Sequence, residues 1–146
     1  MHIRVQREPF DFGEECGRFG QDGRNVGAVV SFLGVVRDDS GDLASMEIEH
    51  YPGMTEKALG AIADAAMSRW DLADLLVIHR FGALAPGEAI MMVATAARHR
   101  AAAFEAAEFL MDYLKSRAPF WKKEIRREGS AWVQARDDDE AALGRW

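Results

Sequence analysis

Short apolar runs bounded by polar or turn-forming residues predict a series of β-strands along this chain. The alternation is clearest at residues 44–51, where Met46 and Ile48 would face one way and Glu47 and Glu49 the other. Strands are also predicted at residues 2–6, 26–36, 72–81, 89–96, 120–126 and 131–136. The first of these is typical of a short edge strand, and the set as a whole favours mostly antiparallel sheets.

The strand predicted at residues 26–36 differs from the others because it is apolar almost throughout. Its sequence, VGAVVSFLGVV, is rich in β-branched residues, which is typical of a buried strand. Gly27 and Gly34 fall inside it and indicate a bulge or a close approach of another backbone. We therefore expect a buried, locally irregular strand here.

Apolar residues at helical spacing predict two main helices. The first spans about residues 55–70. The second spans about residues 98–117 and ends before Pro119, because the residue preceding a proline avoids helical backbone angles. A short helix is predicted at residues 11–19, with Asp11 as its N-cap. The apolar stripe of the first main helix consists of Ala58, Leu59, Ile62, Ala65, Ala66 and Trp70. Strands and helices together predict an α+β fold.

Length and composition indicate a globular chain of 146 residues that forms one domain over residues 1–146. The net charge of −6 and the pI near 5.2 argue against nucleic-acid binding, for which a basic domain is expected. No run approaches the roughly 18 apolar residues of a membrane span, and the N-terminus lacks the apolar region of a signal peptide. Cys16 is the only cysteine, so no internal disulfide forms and a cytoplasmic setting is expected.

Against this acidic background, residues 115–127 carry six Lys or Arg residues and one Glu. One interpretation is a solvated charged face. The other is an anion site, because Phe120 and Trp121 lie among the charges and apolar walls lower the pKa of a neighbouring lysine. Lys115 would end the second main helix and Lys122 would follow Pro119 on the next strand, so the two amines would come from different elements.

A second basic cluster lies at the predicted start of the same helix, where His99 and Arg100 would meet an anion at the helix N-terminus. Arg100 and Lys115 are fifteen residues apart, or about 22 Å along a helix. One small ligand cannot touch both ends. Either the clusters bind different ligands, or a second subunit packs antiparallel and brings its Arg100 to this Lys115. Arg37, at the end of a predicted strand, becomes part of such a site only if the basic segment lies beside it.

Other chemistries lack a motif in this sequence. The histidines are scattered without metal-ligand spacing, and Cys16 lies in a Glu-rich stretch that disfavours a thiolate. There is no phosphate-binding P-loop and no dinucleotide fingerprint. We therefore expect neither a metal nor a cofactor.

Several motifs carry a resemblance to a known family. HYPGMTEKAL at residues 50–59, His99-Arg100 followed by AFEA at 103–106, MDYLK at 111–115 and RAPFWK at 117–122 resemble the large, catalytic subunit of molybdopterin synthase, the MoaE family. The similarity runs from about residue 27 to residue 146. It implies an α/β hammerhead fold and a dimer at the centre of a heterotetramer.

The resemblance also implies a reaction and a partner. In this family a small ubiquitin-like sulfur-carrier subunit inserts a Gly-Gly tail that ends in a thiocarboxylate. Two sulfurs pass in turn to cyclic pyranopterin monophosphate, which gives the dithiolene of molybdopterin. Because the sulfur arrives activated, no ATP motif, metal or reactive cysteine is needed.

Site residues follow from the resemblance position by position. Lys115 and Lys122 correspond to the essential lysines: Lys115 would hold the thiocarboxylate and stabilise the tetrahedral intermediate, and Lys122 would transfer protons, although the two roles could be exchanged. The substrate-binding residues implied are Arg37, His99, Arg100 and Arg136, with His99 and Arg100 supplied by the other subunit. Asp38 departs from the polar neutral residue expected after Arg37. The alternative function is a non-catalytic anion-binding adaptor that docks a ubiquitin-like partner.

Overall fold

The structure, a computed structural model, describes residues 1–21, 23–133 and 137–146. Its strands are β1 (His2–Gln6), β2 (Ala28–Val35), β3 (Leu43–His50), β4 (Asp74–Arg80), β5 (Gly82–Leu84), β6 (Ala89–Ala97), β7 (Phe120–Arg126) and β8 (Gly129–Trp132). Its helices are α1 (Phe12–Arg18), α2 (Met54–Trp70), α3 (Arg100–Arg117) and α4 (Asp137–Ala142), with a 3-10 turn at Leu143–Arg145. The predicted α+β class with two main helices is confirmed.

The strands form two four-stranded sheets. The first has the order β1-β4-β6-β2, with β1 parallel to β4 and the remaining pairs antiparallel. The second has the order β5-β3-β7-β8 and is antiparallel throughout. In the first sheet β4 and β6 lie in the middle and are buried along almost their whole length, as expected for strands covered on both faces.

Helices α2 and α3 pack together over the core, and α3 also packs against β6 and β2. A buried side-chain hydrogen bond fixes the start of α3, since Thr95 Oγ1 donates to the carbonyl of Ala103 at 2.7 Å. At its other end, Arg117 is the last helical residue and Ala118 is extended, as predicted from Pro119. Both ends of α3 are therefore set by identifiable residues.

Of the six positions predicted for the apolar stripe of α2, three are buried, Ala58 and Trp70 are half-buried, and one is exposed. Leu59, Ile62 and Ala66 are buried as predicted, but Ala65 is exposed and Ala63 is fully buried in its place. The buried set follows the i, i+3, i+4, i+7 spacing of one helix face, which Ala65 does not satisfy.

The prediction that residues 26–36 form a buried strand is wrong as to burial. β2 lies at an edge of the first sheet and exposes Val29, Phe32 and Val35. The two glycine predictions are confirmed. A Cβ on Gly27 would overlap the carbonyl oxygen of Arg98, and the register of β2 shifts just after Gly34.

The hydrophobic pattern did not predict the shortest elements. β5 and α4 were not predicted, because three residues of strand and six of helix carry too little periodicity to detect. The last predicted strand, residues 131–136, begins earlier and ends at Trp132 within the described residues. Residues 134–136 lie outside the described part of the chain.

Candidate active site

The bend between α3 and β7 brings the two predicted lysines together. Lys115 lies in the last turn of α3, and Lys122 lies on β7 beyond Pro119. Both line one cavity of about 180 Å³. The other residues that line it are His79, Met91, Met111, Leu114, Ala118, Phe120, Val133 and Asp139. A helix end and a strand therefore each contribute one of the two lysines to a single cavity.

Lys122 lies on the inner side of the second sheet, because its partner on β3 is the buried Ile48. Burial lowers the pKa of Lys122 below its usual value, and the charge of Lys115 lowers it further. The carboxylate of Asp139 partly opposes this shift. Lys115 itself is exposed at the mouth of the cavity. Lys122 is thus the amine whose environment favours loss of a proton.

His79 also lines this cavity, and the sequence reasoning dismissed it as one of four scattered histidines. Its ring stacks on Phe120, with 3.6 Å between centroids and 13° between planes. Its Nδ1 lies 2.8 Å from the carbonyl oxygen of Arg80. Burial is the main cause that lowers the pKa of His79 to about 3, with smaller contributions from the charges of Lys122 and His50, so the ring is neutral near pH 7.

Three of the remaining predicted site residues, Arg37, His99 and Arg100, do not line the cavity. Arg37 follows β2, is about three-quarters exposed, and pairs with Asp39 at 3.3 Å. His99 is the N-cap of α3 and makes no capping hydrogen bond with its side chain. Arg100 is exposed at the first turn, about 22 Å along the helix from Lys115. Arg136 lies outside the described residues.

Among the described residues there is no group of three or more His, Cys, Asp or Glu side chains that could hold a metal ion. Cys16 lies on α1 and does not line the cavity. No helix in the described part of the chain is long and apolar enough to cross a membrane.

The cavity is suited to an anion that must also exchange protons. An exposed ammonium at Lys115 can hold a negative charge at the mouth, while Lys122 deeper inside has a lowered pKa. Met91, Met111, Leu114 and Phe120 supply apolar walls, which strengthen both interactions by excluding water.

Comparison with known proteins gives concordant results. A sequence model of the family described as "MoaE protein" matches residues 5–117. The "Molybdopterin synthase catalytic subunit" of Cereibacter sphaeroides is 64% identical over 146 residues and covers 100% of both chains. The solved structure "Molybdopterin biosynthesis MoaE protein" from Burkholderia ambifaria is 50% identical, with a TM-score of 0.85, over 99% of this chain and 97% of that one.

A more distant structure shares the fold. It is the "Protein-protein complex of subunit 1 and 2 of Molybdopterin-converting factor" from Helicobacter pylori, which is 18% identical with a TM-score of 0.79. The match covers 92% of this chain and 91% of that chain. At that identity the similarity shows a common architecture.

Proposed function

The chain belongs to the MoaE protein family, and we propose that the cavity between Lys115 and Lys122 is its active site. It is a molybdopterin synthase catalytic subunit, an enzyme of molybdenum cofactor biosynthesis. In the proposed reaction, two sulfurs pass from the thiocarboxylated C-terminus of a small ubiquitin-like sulfur-carrier subunit to cyclic pyranopterin monophosphate. The product is the dithiolene of molybdopterin.

The observation that carries this proposal is the convergence of two amines with different environments on one small cavity. Lys115, at the mouth, holds the anionic thiocarboxylate and stabilises the oxyanion of the tetrahedral intermediate. Lys122, with its lowered pKa, gives and takes protons as sulfur leaves the carrier. The same observation weakens the adaptor alternative, because docking an anion requires charge but no amine poised to lose a proton.

The cyclic phosphate of the substrate needs cations in addition to the two lysines, which are assigned to the sulfur transfer. We assign that role to Arg37, His99, Arg100 and Arg136, with His99 and Arg100 contributed by a second copy of the chain. The exposed apolar side chains of edge strand β2, Val29 and Phe32, support self-association there. Since α3 packs against β2, a two-fold contact at this edge would bring each α3 beside the other protomer.

The partner subunit belongs to the same proposal. The Helicobacter pylori complex holds subunits 1 and 2 of a molybdopterin-converting factor, which supports a two-component assembly for this chain. We propose that a dimer of this chain forms the centre of a heterotetramer with a small carrier at each end. The single cysteine fits a cytoplasmic location for that assembly.

Replacement of Lys115 tests the mechanism. Lys115→Ala is expected to lower sulfur transfer from thiocarboxylated carrier to the pterin precursor by at least about a hundredfold, as when an oxyanion-stabilising group is removed. Binding of the carrier should persist, because the variant keeps the docking surface. The measurements are dithiolene formation in single turnover and carrier binding by calorimetry.

Lys123→Ala provides a matched control. Lys123 is adjacent to Lys122 on β7 but points to the opposite face of the sheet, where its ammonium lies 5.5 Å from the Trp132 ring. The same loss of charge there should leave turnover close to wild type. Full activity of Lys115→Ala would rule out the assigned role. If Lys123→Ala lost as much activity as Lys115→Ala, the loss would be explained by the change in net charge alone.

A further inference from the structure

The active-site cavity is lined by few hydrogen-bond acceptors. Lys115 and Lys122 offer N–H donors, and most of the other lining residues are apolar. The acceptors among the described lining side chains are the carboxylate of Asp139, on α4, and the imidazole of His79, on β4. His79 is only 5% exposed, so it is far more buried than Lys115, which is exposed.

The hydrogen bond at Nδ1 fixes the tautomer of His79. The carbonyl of Arg80 can only accept, so the Nδ1 that lies 2.8 Å from it carries the proton. In the neutral ring, Nε2 is then an unprotonated acceptor. The stack on Phe120 holds the plane of the ring. Tautomer and orientation are therefore both set before any ligand arrives.

Because Nδ1 is occupied, Nε2 is the ring nitrogen of His79 that remains for a ligand in the cavity. Within residues 1–21, 23–133 and 137–146, no group forms a hydrogen bond with it. In that part of the chain, the only buried side-chain polar atom without a partner is Ser116 Oγ, so Nε2 is not sealed off. An acceptor that is oriented and has no partner among the described residues is available to a donor group on a ligand.

The volume of the cavity indicates which ligand brings that donor. At about 180 Å³ it is smaller than the roughly 300–1,000 Å³ of pockets that enclose drug-sized molecules. The terminus of an extended glycine tail is narrow enough to enter a space of this size. Each glycine of such a tail also presents one backbone N–H, which needs an acceptor once it is buried.

We propose that His79 is a positioning residue of the sulfur-transfer site, whose Nε2 accepts a hydrogen bond from a backbone N–H of the carrier tail. This inference rests on the proposed function and adds a residue to it. The thiocarboxylate then meets Lys115 and Lys122 in a fixed register. His79 acts as an acceptor only, because a ring with a pKa of about 3 takes no proton near neutral pH.

Three substitutions distinguish the stacking of the ring, the hydrogen bond to the carbonyl of Arg80 and the acceptor at the Nε2 position. His79→Phe keeps an aromatic ring against Phe120 but has no acceptor. His79→Asn can still donate to the carbonyl of Arg80 but has no group at the Nε2 position. His79→Gln can place an amide oxygen near the Nε2 position, so it is the conservative variant. Thermal unfolding of each variant shows whether it is folded before binding is measured.

The test is a binding cycle with two forms of the carrier. One form ends in its complete Gly-Gly tail as a carboxylate, and the other lacks those two glycines. Calorimetry of both with wild type, His79→Phe and His79→Gln separates the tail from the docking surface. His79→Phe is expected to weaken binding of the complete carrier about tenfold and to leave binding of the truncated carrier unchanged. His79→Gln should recover most of the loss.

Each other outcome has a definite meaning. Equal weakening of both carriers would assign His79 a purely structural role and overturn the proposal, as would unchanged binding of the complete carrier. A rise in the KM for the pterin alone would overturn it in favour of pterin recognition. Wild-type protein that binds the carrier but transfers no sulfur would refute the proposed function instead, so the two failures are distinguishable.

Discussion

At the scale of single residues, the neutral state of His79 has a consequence for stability in acid. Its pKa is about 3 in the folded protein and near 6.5 in an unfolded chain. Below pH 6.5 the unfolded chain therefore binds a proton that the folded protein does not. The contribution is fully present above pH 6.5 and is lost as the pH falls toward 3.

This linkage predicts a difference between wild type and His79→Phe. Between pH 6 and pH 4 the free energy of unfolding of wild type should fall more steeply, by up to about 1.4 kcal/mol per pH unit. Urea unfolding at a series of pH values measures both slopes. Carboxylates with lowered pKa values, such as Glu15 and Asp74, contribute to acid sensitivity in both proteins and cancel in the comparison.

His2→Phe is the control for this experiment. His2 is two-thirds exposed beside Asp74, so its replacement should leave the acid slope close to that of wild type. Parallel slopes for wild type and His79→Phe would contradict the assignment of a buried neutral ring.

Sequence reasoning singled out the two lysines that line the candidate site and missed His79 for a physical reason. Lys115 and Lys122 flank a proline within a dense run of charge, and both signals are local in the chain. His79 sits in an apolar strand, and its partners Phe120 and Arg80 act through stacking and a backbone carbonyl. A stacking partner some forty residues away leaves no trace in the pattern around a histidine.

At the scale of elements, the junction between β6 and α3 determines where the second basic cluster lies. Gly27 passes directly against the carbonyl of Arg98, and its N–H donates to the carbonyl of Ala97 at 2.9 Å. His99 and Arg100 follow immediately. The close approach of two backbones thus fixes the base from which these side chains project.

Gly27→Ala is expected to destabilise the protein by about 1–3 kcal/mol, because its methyl group would force the β6–α3 junction away from β2. Chemical denaturation measures the loss. Gly60→Ala is a matched control, since a Cβ there in α2 meets nothing and alanine favours helix by about 1 kcal/mol. If Gly27→Ala is as stable as wild type, the β6–α3 junction can shift to accommodate the methyl group without a measurable cost in stability.

Helix ends were predictable from the sequence where a single residue specifies them. Pro119 correctly placed the end of α3, and Asp11 caps α1 as predicted, accepting from the N–H of Glu14. β2 was correctly predicted as a strand but wrongly predicted to be buried, because apolar composition does not distinguish an interior strand from an exposed edge strand. That distinction depends on strand order, which long-range contacts determine.

At the scale of the whole molecule, the proposed site needs residues from two copies of the chain. Arg100→Ala and Lys115→Ala dimers should each be inactive. Mixed by joint refolding, they should form hybrids in which one site has both residues intact and the other has neither. Roughly a quarter of wild-type activity is expected for random pairing. The measurement is sulfur transfer before and after mixing.

The mixing experiment can also show that both residues belong to one chain. If Arg100 and Lys115 served the same chain, each hybrid site would lack one of them and no activity would return. Size-exclusion chromatography of hybrids that carry two distinguishable tags confirms that exchange took place. Absence of recovery despite exchange would remove the second subunit from the proposed site.

The α+β class was predictable because periodicity and turn residues are local, and the MoaE motifs gave the family. Strand order was not predictable, since it depends on pairs such as His2 with Leu76 that are distant in the chain. The extent of the domain, residues 1–146, stays a prediction.

The length of α3 links the two sites of the proposed dimer. With Lys115 in one site and Arg100 in the other, each helix is a strut about 22 Å long that ends in both. A shift at one end can then be transmitted to the other, and any such coupling is reciprocal by thermodynamic necessity. The second carrier would then bind with an affinity that differs from the first. If a titration of the dimer with carrier fits two identical, independent sites, α3 does not couple the two sites.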